Sequence, residues 1–230
     1  MRLAIALLLL STTSSDLQAA LVFNFTARAT TITTFNTSDR TFGGVNLQDP
    51  ATTTITGTFA YDPSRMLLDF DAGDGYREYL SNDARDYFSF QGSGLEFSSS
   101  GLRIIVVENF GFAIQALPGN LTMNPDDPDF RFGDLMLEFG SNDPSLYPFA
   151  GVPTSIDDFL PLSQWDYRNT PETSGALGDL FIYSTDDQVS KQLTFQIDSI
   201  TAVPEPSSSL LAGLGILVLG AARRLRCVSV

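Results

Sequence analysis

Through the middle of the chain, apolar and polar residues alternate with a period of two. In Thr52–Tyr61 (TTTITGTFAY) threonines alternate with Ile55 and Phe59. In Lys191–Ile200 (KQLTFQIDSI) Leu193, Phe195 and Ile197 fall on one face, and Thr194, Gln196 and Asp198 on the other. That period is the mark of a half-buried strand, because successive side chains of extended backbone point to opposite faces. Leu102–Phe110 (LRIIVVENF) is β-branched and apolar, which predicts a more deeply buried strand. Leu21–Thr30, Asp86–Gly92, Phe110–Leu117, Asp134–Gly140 and Gly178–Ser184 read in the same way. Turn clusters at 72–75, 92–94 and 125–128 separate these runs. No long run has a 3.6-residue period, and Ile156–Leu162 predicts one short helix or turn. Closely spaced strands with abundant phenylalanine predict an all-β fold, an antiparallel sandwich of jelly-roll type, over residues 21–202.

Both ends of the chain depart from this pattern. Arg2, then the apolar run Leu3–Leu10, then Ala19 and Ala20 form the three parts of a secretory signal peptide over residues 1–20. At the other end Leu210–Ala222 has no charged residue and is followed at once by Arg223, Arg224 and Arg226. Those thirteen residues would span about 20 Å as a helix, against a hydrocarbon core of about 30 Å. Pro204 and Pro206 separate the segment from the preceding strand, and arginine side chains can snorkel to ease a short span. The expectation is a single C-terminal transmembrane helix with its basic cluster in the cytoplasm and the body outside.

Charge and composition narrow the function. Of the 13 Lys+Arg, four lie at the extreme ends, so residues 20–204 hold nine basic against 25 acidic side chains. A body this acidic repels phosphate backbones and predicts no nucleic-acid partner. The chain has no histidine, which excludes Ser-His-Asp and Cys-His catalysis and any His-ligated metal. Its one cysteine, Cys227, lies in the basic tail, so the body has neither a disulfide nor a thiolate site.

Val203-Pro204-Glu205-Pro206, then Leu210–Ala222, then Arg223-Arg224-Leu225-Arg226 closely resembles the PEP-CTERM sorting signal of exopolysaccharide-producing Gram-negative bacteria. The resemblance covers residues 203–228 and is specific, since three elements stand in fixed order at the C-terminus opposite a signal peptide. It implies recognition by an exosortase, a membrane-embedded cysteine transpeptidase, with cleavage near Pro204-Glu205-Pro206. It implies a protein exported to the periplasm, held in the inner membrane by its C-terminal helix, then passed to the cell surface or matrix. The runs ITGTFAYD, DFDAGDGY and SFQGSGLEFSSSG also resemble a style of domain found in such proteins, which implies a fold style and no reaction.

Candidate chemistry in the body is sparse. Asp69, Asp71 and Asp74, with Glu78 nearby, supply the hard oxygens that Ca²⁺ prefers. Their spacing departs from the D-x-D-x-D-G of an EF-hand, and a solvated turn is the favoured reading. Asp126, Asp127 and Asp129 lie in a proline-stiffened loop that turn chemistry explains. Trp165 and Tyr167 are the aromatics best suited to touch a sugar. The expectation is a non-enzymatic structural or interaction protein with no cofactor, in contact with extracellular polysaccharide. The alternatives are a carboxylate-dependent glycan-active enzyme and a calcium-stabilised carbohydrate-binding or adhesin-like module.

Overall fold

Twelve strands are present in a computed structural model of the chain, which describes residues 20–36, 53–92, 94–117, 119–123, 130–143, 145–146, 151–166, 175–184 and 190–204. In chain order they are β1 (Leu21–Phe35), β2 (Thr54–Tyr61), β3 (Leu67–Asp71), β4 (Tyr76–Ser81), β5 (Tyr87–Gly92), β6 (Leu95–Ser100), β7 (Leu102–Val107), β8 (Gly111–Ala116), β9 (Gly119–Met123), β10 (Phe130–Gly140), β11 (Leu177–Ser184) and β12 (Ser190–Ala202). Of the expected signal peptide, residues 1–20, all but Ala20 lie outside the described residues, as does the apolar segment Leu210–Ala222. Among the described residues no helix is long and apolar enough to cross a membrane.

The expected antiparallel β architecture is present, drawn as one curled sheet where a sandwich would have two. The strands run β11-β12-β1-β2-β5-β6-β9-β10-β8-β7-β4-β3, and β11 also pairs with β10. That extra pairing closes a circuit of eight strands, leaving β8, β7, β4 and β3 as a flap. Partners followed from Asn24 run through Thr58, Ser89, Ser98, Asn120, Phe132, Tyr183 and Ser190, and return to β1 at Phe35. The strands are therefore strongly staggered and tilted, as closure of a sheet requires.

The flap leaves the circuit at a corner. β6 and β7 are one strand bent at Gly101. They pair with β9 and β8 in a single unbroken register, Ser98 opposite Asn120 and Leu102 opposite Ala116. β5 flanks β6, whereas β4 flanks β7, so the sheet forks at the bend. Gly101 takes φ +81°, and a Cβ there would stand 2.6 Å from the Ser81 carbonyl oxygen. Only glycine fits both the conformation and the space.

Inside the circuit the core is aromatic. Phe23, Phe25, Phe59, Phe88, Phe90, Phe97, Phe139 and Phe195 are all buried. Two rings lie across a glycine of the neighbouring strand, Phe25 over Gly57 and Phe195 over Gly178, and these two rings stack at 6.4 Å. Gly57→Ala is expected to destabilise the fold by about 1–3 kcal/mol, because the new methyl meets the Phe25 ring and the Ser89 carbonyl oxygen at 2.6 Å. Urea unfolding of the variant measures this. The predicted short helix resolves into two 3-10 turns, Ile156–Phe159 and Leu162–Gln164. They drive Phe159 and Trp165 into the core.

Candidate functional site: where the body meets its tail

The end of β12 positions the segment beyond it. Leu193, Phe195 and Ile197 point inward, and the register shifts at Thr26/Ala27 so that Ile200 also turns inward, opposite Phe25. On the outer face Thr26 and Ser199 share a hydroxyl hydrogen bond of 2.7 Å. Arg28 donates to both oxygens of Asp198 at 2.7–3.0 Å. Apolar side chains below and polar pairs above thus fix β12 up to its last turn of pleat.

Pairing then stops within one residue. Ala202 stands opposite Phe23, and the Val203 N–H donates to the Val22 carbonyl at 2.8 Å. Pro204 follows, has no N–H, and is exposed, so the ladder cannot continue through it. β1 begins at Leu21 on the adjacent strand, so the first and last strands of the described body start and end side by side.

The PEP-CTERM protein-sorting motif matches residues 202–226. The chain carries a PEP-CTERM protein-sorting motif. No curated protein and no solved structure matches the chain. The motif match starts at Ala202, the last residue of β12, so fold and sorting motif abut with no linker between them. Of the residues singled out in the motif, Pro204 is exposed; Glu205, Pro206, Arg223, Arg224 and Arg226 lie outside the described residues.

The acidic run Asp69–Glu78 is the β3–β4 hairpin. Asp71 accepts from the Gly73 N–H at 2.8 Å and from Arg77 Nε at 3.2 Å. Those bonds, the backbone one first, hold its carboxyl below the usual carboxylate range. Asp74 accepts from the Tyr76 N–H at 3.3 Å, and Glu78 takes the Tyr76 hydroxyl at 2.7 Å and faces Arg103 at 3.3 Å. Turn chemistry and ion pairing account for these three carboxylates, while Asp69 stands exposed at a bulge. Among the described residues no group of three or more Asp, Glu, His or Cys is placed to hold a metal ion. Asp126, Asp127 and Asp129 lie outside the described residues.

Trp165 is a correction to the sugar-contact expectation. It is fully buried, packs edge-on to Phe112 and Phe139, and its Nε1–H donates to the Phe159 carbonyl at 2.9 Å. Its companion Tyr167 lies outside the described residues. On the outer face of β1, β2, β5 and β6 a shallow groove of about 410 Å³ is lined by Asn24, Thr26, Thr58, Ser89, Gln91 and Ser98. Its lining includes one carboxylate, Glu96.

The sequence reading passed over a buried carboxylate at the fork. Asp86 accepts from the Asp62 N–H at 3.2 Å, from Arg65 Nη2 at 2.7 Å and from the Ser81 hydroxyl. Arg65 reaches Asp62 at 3.0 Å as well. Nothing in NDARD marks its last acid as buried, since that depends on β4 and β5 diverging around it. Burial pushes the carboxyl of Asp134, on β10, above the usual carboxylate range. A raised folded value penalises the charged form, so the penalty is absent below the unfolded value of about 3.9 and full at neutral pH. Asp134→Asn is therefore expected to raise the urea midpoint at pH 7, with the gain vanishing near pH 3.

Proposed function

We propose that this chain is an exosortase substrate. It is exported, held in the inner membrane by Leu210–Ala222 with Arg223, Arg224 and Arg226 on the cytoplasmic side, and cleaved at Pro204-Glu205-Pro206. It then acts as a non-catalytic structural or interaction protein at the cell surface or in an exopolysaccharide matrix. The observation that carries this reading is the junction: the folded body ends at Ala202, where the sorting-motif match begins. The body can therefore keep its whole sheet when everything after Pro206 is removed. Five residues separate Pro204 from Leu210, at most about 20 Å of extended chain. Before processing, this end of the body is thus held against the membrane.

The test is the intact mass of the protein recovered from cells with and without an exosortase. The expected result is loss of the residues beyond the Pro-Glu-Pro motif only where the enzyme is present. An unchanged C-terminus in both would overturn the proposal.

A further inference from the structure

We infer that the folded body gates its own processing: the Val203–Val22 rung of the sheet must open before the sorting motif can enter the enzyme. The inference rests on the reading of the chain as an exosortase substrate and adds a control point to it. A peptide recognised in extended form pairs with its partner through its own backbone N–H and C=O groups. The residues flanking the cut must then be free of other pairing. Here the side before Pro204 is not free. The Val203 N–H is held by the Val22 carbonyl at 2.8 Å, and Ala202 and Thr201 stand in register with Phe23 and Asn24.

Fraying cannot run far back from that rung. Ile200 is 4% exposed and Ile197 3%, both seated in the core. Thr26–Ser199 and Arg28–Asp198 clasp the same stretch from outside. The slack available to an enzyme is therefore Val203 and the two exposed residues before it, Thr201 and Ala202. The rung lies at the sheet end, where opening is cheap compared with global unfolding. Processing that waits on such an opening follows the population of the open form. One backbone hydrogen bond corresponds to about a 2- to 10-fold change in that population.

The experiment inserts Gly-Ser-Gly-Ser between Ala202 and Val203 in the full-length chain. It follows tail loss by pulse-chase in cells that contain the exosortase. A second variant, Asp198→Ala, keeps the spacing and loosens the clasp on β12. The expected result is processing about 2- to 10-fold faster for the insertion, with a smaller acceleration for Asp198→Ala. Adding Asp198→Ala to the insertion should then change nothing further. Thermal melts of the purified bodies check that each variant keeps the fold. Processing of the unaltered chain with no acceleration by the insertion overturns the gate and leaves the sorting proposal standing. Failure of the unaltered chain to be processed at all overturns both.

Discussion

Phe159→Ala is expected to cost about 3–5 kcal/mol of folding stability, the range for removing a buried aromatic ring. Phe159 sits on a 3-10 turn, outside the sheet, yet its ring is fully buried. It lies 4.9 Å from Phe23, 5.8 Å from Phe59, 5.1 Å from Phe112 and 5.1 Å from Phe139. These partners come from β1, β2, β8 and β10, so one side chain joins the closed circuit to the flap. Its carbonyl also receives the Trp165 indole N–H, which ties the second 3-10 turn to the first. Truncation leaves a cavity among rings held by four strands, and such a site collapses poorly. The loss is a large fraction of the 5–15 kcal/mol typical of a domain, and corresponds to a fall in Tm of about 6–20 °C. Guanidinium unfolding with an unchanged m-value would show that the effect is on stability alone. Phe159→Leu keeps most of the volume and should lose less than half as much. If both variants fall equally, the ring contacts are not what the turn supplies.

That residue also shows where sequence reading stops. β2 and β12 are legible because Ile55 and Phe59, or Leu193 and Phe195, alternate with threonine and other polar residues, and the structure buries those side chains. The sorting motif is legible for another reason: it is contiguous, and no distant contact is needed to recognise it. β3 carries no such signal, since all five of its residues, LLDFD, are exposed and inward and outward positions look alike. Closure of the circuit is also silent in the sequence. It depends on β10 meeting β11 across the loops between them, a pairing no local pattern encodes. Trp165 misleads for the same reason. Its neighbours in SQWDYRN are polar, and only the turn at Leu162–Gln164 folds it inward. The junction, by contrast, is tighter than the sequence suggests, because pairing persists to Val203 itself.

Asp86→Ala is expected to cost about 2–5 kcal/mol, because it strips two buried donors of their acceptor and a part-buried guanidinium of one of its carboxylates. Asp86 is fully buried, and its carboxylate is the meeting point of three donors from two segments: the Asp62 N–H and the Arg65 guanidinium from the turn after β2, and the Ser81 hydroxyl from β4. Its backbone serves the same corner, taking the Gly101 N–H on its carbonyl. The fork at Gly101, where β4 and β5 part, is thus organised around one residue. Alanine leaves the Asp62 N–H and the Ser81 hydroxyl without their acceptor, and each unsatisfied buried donor carries its full desolvation penalty. Arg65 retains Asp62 at 3.0 Å and Asp83 at 3.5 Å, which limits the loss on the cationic side. Asp86→Asn separates the two contributions. The amide oxygen can still accept from Asp62 and Arg65, while its NH₂ faces Ser81 as a donor, so the charge and the acceptor of the Ser81 hydroxyl are lost and the other two bonds are kept. Urea unfolding should place Asp86→Asn between wild type and Asp86→Ala. The exposed Arg28–Asp198 pair is the contrast: water already solvates both groups, so Asp198→Ala should leave the global unfolding midpoint nearly unmoved. Equal losses for Asp86→Ala and Asp198→Ala would mean that burial at the fork adds nothing, and that the corner is held by Gly101 and the backbone alone.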